Sequence, residues 1–278
     1  MLAILLAVGS AASYGLADFC GGLATRGAHV LRVVAISAPA SLLIELALLP
    51  LLGGHWSPAA AGWGAAAGAA SAAAFVLLYL SLAAGPMSIL SPITALVSAA
   101  LPVLVGLQQG GHLQPSGWVG VLLAAGSIAL ISAPTTAATA RLTGLAFLLA
   151  VAAGTAIATQ LIFLHETPHN SGVVPLIVGR TVSGAVVLTA YQTRRSQLPP
   201  GRPRVALAAA AGAVDALANL AFLLATRHGQ LATVAVITAL YPAGTVVLAR
   251  TLLAEHLTPA QWAGLLTAAA AVTLLALS

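Results

Sequence analysis

Long apolar runs, each about the length that crosses a bilayer and separated by short turns, decide what this chain can fold into. A span takes about 20 apolar residues. The sequence offers ten such runs, at 2–23, 30–52, 59–82, 86–108, 115–133, 142–164, 172–192, 203–226, 230–253 and 259–277. Many of the breaks between them fall on turn formers: Gly53-Gly54, Gly85-Pro86, Gly110-Gly111, Pro134, Pro168 and Pro199-Pro200-Gly201. Charged residues make up 5% of the chain, against roughly 25% in a soluble domain, so too few ionic groups exist to cover a water-facing surface. In lipid every backbone polar group needs a partner within the protein, which leaves helices or closed barrels. Barrel strands alternate polar and apolar residues, whereas these runs are apolar all round. The reading is an all-α integral membrane protein with ten transmembrane helices, multi-pass in the cell membrane, with no segment long enough for a soluble domain.

The basic excess consists of ten arginines and no lysine. They are scattered through short loops without interleaved aromatics, which argues against a nucleic-acid partner and for a role in topology. Arg26, Arg141, Arg194, Arg195 and Arg202 fall in odd-numbered loops, and only Arg227 in an even one. The positive-inside rule therefore places the odd loops in the cytoplasm and both termini outside. Cys20 is the single cysteine, which excludes an internal disulfide and a multi-cysteine metal site. The first apolar run has no basic stretch ahead of it and continues past the length of a signal peptide, so it reads as a retained helix.

A shift of 144 residues aligns 93–122 with 237–266 at about 13 of 30 positions. Ile93-Thr94-Ala95-Leu96 meets Ile237-Thr238-Ala239-Leu240, His112-Leu113 meets His256-Leu257, and Pro115, Trp118 and Gly120 meet Pro259, Trp262 and Gly264. Paired His, Pro and Trp mark a duplication rather than shared alanine content. The expected units are 1–138 and 139–278, each of five helices. An odd number of helices turns the second unit upside down relative to the first, giving two inverted repeats with a solute site between them near the midplane.

The block Glu255-His256-Leu257-Thr258-Pro259-Ala260-Gln261-Trp262-Ala263-Gly264 resembles the EamA-type branch of the drug/metabolite transporter superfamily. Its first copy, Gly111-His112-Leu113-Gln114-Pro115-Ser116-Gly117-Trp118-Val119-Gly120, departs from the pattern in having Gly111 at the acidic position. Arg32 and Arg180, each opening the second helix of its unit, fit the same habit. The resemblance implies a ten-helix exporter of small metabolites or drugs, often driven by proton exchange, with both termini inside. That last implication conflicts with the arginine distribution, which is read from this chain and is preferred here.

His165-Glu166-Thr167-Pro168-His169 spells the zinc-protease pattern H-E-x-x-H. The pattern needs both histidines on one helical turn, and Pro168 interrupts that turn. A solvated loop is the reading, with neither metal nor catalytic residue assigned. No phosphate-binding glycine loop precedes a basic residue, so no nucleotide cofactor is expected.

Ionisable groups at membrane depth are expensive and mark functional positions. Asp215 lies near the middle of the eighth run, with Asn219 one turn on and on the same face. Asp18 follows Tyr14 by one turn in the first run. Gln160 and Tyr241 are weaker candidates, Tyr241 because Pro242 after it frees backbone carbonyls. Glu45 is read as lying nearer a helix end, and Arg180 as reaching the headgroups; the alternative for Asp18, Glu45 and Asp215 is a structural contact between helices, with Arg180 or a hydroxyl as partner. Gly64 and Gly68 form a G-x-x-x-G suited to close helix packing. The expected function is a secondary transporter moving a small solute by alternating access, with protons as the expected coupling ion and lipid as its surroundings. The alternatives are a lipid-linked substrate flippase and an intramembrane enzyme.

Overall fold

The computed structural model describes residues 1–84, 87–132, 143–253 and 257–277. Gly85-Pro86, Pro134, Arg141, Glu255-His256 and the expected unit boundary at 138/139 lie outside the described residues. The described residues form α1 (Leu2–Thr25), α2 (Val30–Leu52), α3 (Pro58–Ala84), α4 (Met87–Gln108), α5 (Pro115–Ile131), α6 (Gly144–His165), α7 (Val174–Arg194), α8 (Val205–His228), α9 (Leu231–Thr238), α10 (Tyr241–Leu252) and α11 (Pro259–Ala276). A short 3-10 turn at His169–Ser171 precedes α7. Among the described residues eight segments are long and apolar enough to cross a membrane, with Leu231–Leu252 counted as one, and two shorter apolar stretches are Ile93–Gln108 and Pro115–Ile131.

The helix starts are written locally. Thr258 Oγ1 accepts from Gln261 N–H at 3.2 Å, and Gln261 Oε1 accepts from Thr258 N–H at 3.0 Å. With Pro259 at the first helical position this is a capping box. The Thr-Pro-x-Gln block thus has a plain physical task, which is to start α11. Thr143 caps α6 from one side only, its Oγ1 accepting from Ala146 N–H at 3.2 Å.

The ninth apolar run is broken where a continuous helix is expected. Leu240 N–H bonds the Ile237 carbonyl at 3.1 Å, a tightened 3-10 turn. Pro242 has no N–H with which to continue the ladder to Thr238. The chain therefore leaves α9 at Thr238 and restarts as α10 at Tyr241.

Packing runs mainly between the first five helices and the rest. α1 lies along α8 and against α9 and α10; α3 lies along α6 and α7; α2 packs on α7 and α8; α4 on α6 and α9; and α5 on α11. Small residues set the closest crossings. A Cβ on Gly68 would sit 2.2 Å from the Gly179 carbonyl oxygen, and one on Gly212 2.0 Å from that of Ser37. The G-x-x-x-G of α3 thus packs on α7 through Pro175 and Gly179. Trp56, Trp118 and Trp262 lie exposed near helix ends, where an aromatic belt belongs.

Candidate functional site

Four helices bring an ionic cluster together. Arg180 of α7 donates through Nη2 to Asp215 Oδ2 of α8 and holds its Nε 3.6 Å from Glu45 Oε1 of α2. Asn219, one turn beyond Asp215, donates to the Asp215 carbonyl at 2.9 Å and to its Oδ2 at 3.3 Å. Gln160 of α6 donates to Asn219 Oδ1 at 3.1 Å. The chain of contacts Glu45–Arg180–Asp215–Asn219–Gln160 ties both halves of the molecule to one set of charges.

Two of these placements correct the sequence reading. Arg180 does not reach the headgroups: its side chain is 17% exposed and committed to two carboxylates. Glu45 does not sit at an interface: its side chain is 2% exposed. The start of α7 lies beneath a packed loop, with Val173, Val174, Leu176 and Ile177 all buried, so being near a helix end does not put Arg180 near water. A guanidinium held there needs carboxylate partners, and Glu45 and Asp215 meet that need.

A cavity of about 210 Å³ opens beside the cluster, and Tyr14, Asp18, Gln160, Arg180, Asp215 and Tyr241 line it with Ser71, Ser98 and Thr238. Five of the six sequence-chosen residues therefore share one wall. The sixth, Asn219, lies just behind it, lining a smaller pocket with Glu45 and Arg180. The rings of Tyr14 and Tyr241 meet edge to face, 6.4 Å between centroids. Ser71, Ser98 and Thr238 were not chosen as site residues in the sequence, Thr238 appearing there only in the duplicated block; serine and threonine on apolar helices carry no signal of depth or direction.

The inner cavity continues into a wider one of about 700 Å³, sharing Asp18, Leu78, Ile157 and Tyr241 with it. Arg26, Ser132 and Leu253, at the ends of α1, α5 and α10, line this outer chamber. The opposite end is closed by loop contacts. Gln109 Nε2 donates to Glu166, Arg227 Nη2 donates to Ser171 Oγ and to the Gly172 carbonyl at 3.1 Å each, and His55 N–H donates to the Asn170 carbonyl at 3.0 Å. The H-E-x-x-H segment belongs to this seal. Pro168 separates His165, the last residue of α6, from the turn that holds His169, so the two histidines do not share a helical face.

The described residues thus form an all-helical, multi-pass architecture with a polar cavity that reaches one end. Residues 144–277 match the model of the EamA-like transporter family, so this part of the chain is similar to membrane transporters of small solutes. A solved structure, titled only as the crystal structure of a protein, is similar at a TM-score of 0.78 and 13% identity, over 99% of this chain and 96% of its own. At that identity the likeness shows the fold alone. No curated protein matches in sequence.

Proposed function

We propose that the chain is a secondary transporter of the cell membrane, built from two inverted five-helix units, 1–138 and 139–278, that carries a small solute by alternating access with protons as coupling ion. The observation that carries this is the cavity itself. Its polar wall is drawn from both units, it reaches one end of the bundle through the wider chamber, and loop contacts close the other end.

Symmetry of the packing supports the inverted units. Exchange each helix of the first five with its counterpart, taking α9 and α10 together as one. The pair α1–α8 becomes α6–α3, α2–α8 becomes α7–α3, and α1 against α9 and α10 becomes α6–α4; α2–α7, α4–α9 and α5–α11 return to themselves. The relation extends to side chains. A Cβ on Gly120 would meet Leu275, and one on Gly264, its partner at the 144-residue shift, would meet Ile131, the partner of Leu275. In this reading Asp215 and Asp18 are the proton-coupling or solute-contacting groups, and Tyr14, Gln160, Asn219 and Tyr241 shape the site.

The test is counterflow in sealed proteoliposomes with a panel of amino acids, amines and nucleosides, run with and without a pH gradient. Gradient-dependent accumulation that Asp215→Asn abolishes is the expected result. Movement of a lipid-linked substrate alone would make the protein a flippase, and turnover in detergent would make it an enzyme. Either outcome refutes the reading.

A further inference from the structure

The inner cavity carries an excess of negative charge. Among the described residues the helical interior around it holds three carboxylates, Asp18, Glu45 and Asp215, and one guanidinium, that of Arg180. Arg180 is spent on Asp215 and Glu45. Asp18 receives no ion pair or hydrogen bond from any described residue, although it faces the junction of the inner and outer chambers. Arg26 lines the outer chamber two turns further along α1 but makes no ion pair with Asp18 among the described residues, so at the junction an anion meets like charge and a neutral solute leaves that charge unanswered.

Two further features of the wall favour a positive charge that carries N–H groups. α9 ends at Thr238 and points the negative end of its dipole at the cavity, and Pro242 cannot donate to the Thr238 carbonyl. Thr238 Oγ1 is a second acceptor without a partner: the residue is 3% exposed, lines the cavity, and its hydroxyl makes no hydrogen bond. Tyr14 and Tyr241 add ring faces that attract cations. Leu78, Ile157 and Leu161 supply an apolar wall beside them.

We propose that this site binds an organic amine as its cation, the ammonium between Asp18 and Thr238 and flanked by the two tyrosines, the apolar body against Leu78, Ile157 and Leu161. A primary or secondary ammonium fits better than a quaternary one, because only N–H groups satisfy the open acceptors. That the amine is also carried across the membrane rests on the transport reading; its binding does not.

Binding is measured on purified protein by thermal shift and calorimetry with matched probes: phenethylamine, hexylamine, 3-phenylpropionate, 3-phenylpropanol and phenethyltrimethylammonium. The amines raise the unfolding midpoint saturably, the trimethyl compound does so weakly, and the carboxylate and alcohol do not. Asp18→Asn lowers amine affinity by about tenfold or more, the loss expected for a hydrogen bond to a charged group. In a second measurement Ile157→Cys, in a Cys20→Ala background, reacts with a cationic methanethiosulfonate faster than with an anionic one. Relative to a free thiol the preference is about tenfold, and Asp18→Asn abolishes it. Equal or better binding of the carboxylate, amine binding that survives Asp18→Asn, stabilisation by sodium with no amine effect, or no binding by any amine overturns the proposal. Amine binding without movement across sealed vesicles refutes the transport reading instead.

Discussion

Arg180 answers two carboxylates, and its removal should cost more than the removal of either. Arg180→Met keeps the length and packing of the side chain and deletes the charge. Glu45, 2% exposed, then has no cation beside it, and an uncompensated buried charge costs about 3–5 kcal/mol. Asp215 is 31% exposed, and the cavity screens its share of the loss. Arg180→Met is therefore expected to destabilise by about 3 kcal/mol. Asp215→Asn leaves Arg180 with Glu45, its Nε already 3.6 Å from Oε1, and leaves Asn219 an acceptor in the backbone carbonyl. Its expected cost is about 1 kcal/mol. Adding Glu45→Gln to Arg180→Met removes the stranded charge and returns about 2 kcal/mol of the loss. Equilibrium unfolding in mixed detergent micelles, followed by tryptophan fluorescence, gives all three values. Asp215→Asn costing as much as Arg180→Met, or no rescue by Glu45→Gln, refutes the shared-cation argument.

Gly212→Ala places a methyl 2.0 Å from the Ser37 carbonyl oxygen and should destabilise by about 1–3 kcal/mol. Gly126→Ala, with nothing within 4 Å, should be near neutral in the same unfolding assay. Pro242→Ala restores a donor for the Thr238 carbonyl. It should raise stability while weakening phenethylamine binding, and unchanged affinity there would count against a role for the broken helix. Single cysteines at Arg26 and His169, in a Cys20→Ala background, should label from opposite faces of intact cells; labelling from one face ends the inverted arrangement. The arginine-rich end should be cytoplasmic, so a C-terminal reporter that works only in the cytoplasm should be silent.

What the sequence made legible is what is encoded within a turn or two. Apolar length and missing charge announce spanning helices, Thr258-Pro259-x-Gln261 writes a capping box, and the four-residue step from Asp215 to Asn219 puts them on one face, where their hydrogen bond is found. Pro168 showed in the sequence why the H-E-x-x-H segment is not a zinc helix. Glu45 and Arg180 were misplaced because depth in a membrane was inferred from distance to a helix end. That inference fails where a loop folds over the end, as 166–173 does against 53–57. The break in the ninth run was half legible: Pro242 announced lost carbonyl partners, while the placement of those carbonyls on the cavity depends on α9 crossing α4 and α1.

The same limit explains why charge, counted in the sequence, says less than charge paired in space. Asp18 and Asp215 look alike along the chain, each a carboxylate within an apolar helix. In the fold they differ in kind. Asp215 has Arg180 and Asn219 as donors, so its charge is largely answered by the protein. Asp18 has no such donor among the described residues and stands where the cavity widens. Asp18 is exposed to the cavity, so its charge is left to whatever enters there, water or solute, and an ionisable group at membrane depth marks a functional position. In the amine-binding proposal that partner is the entering cation, and Asp18, more than the paired Asp215, is the position proposed to read solute charge.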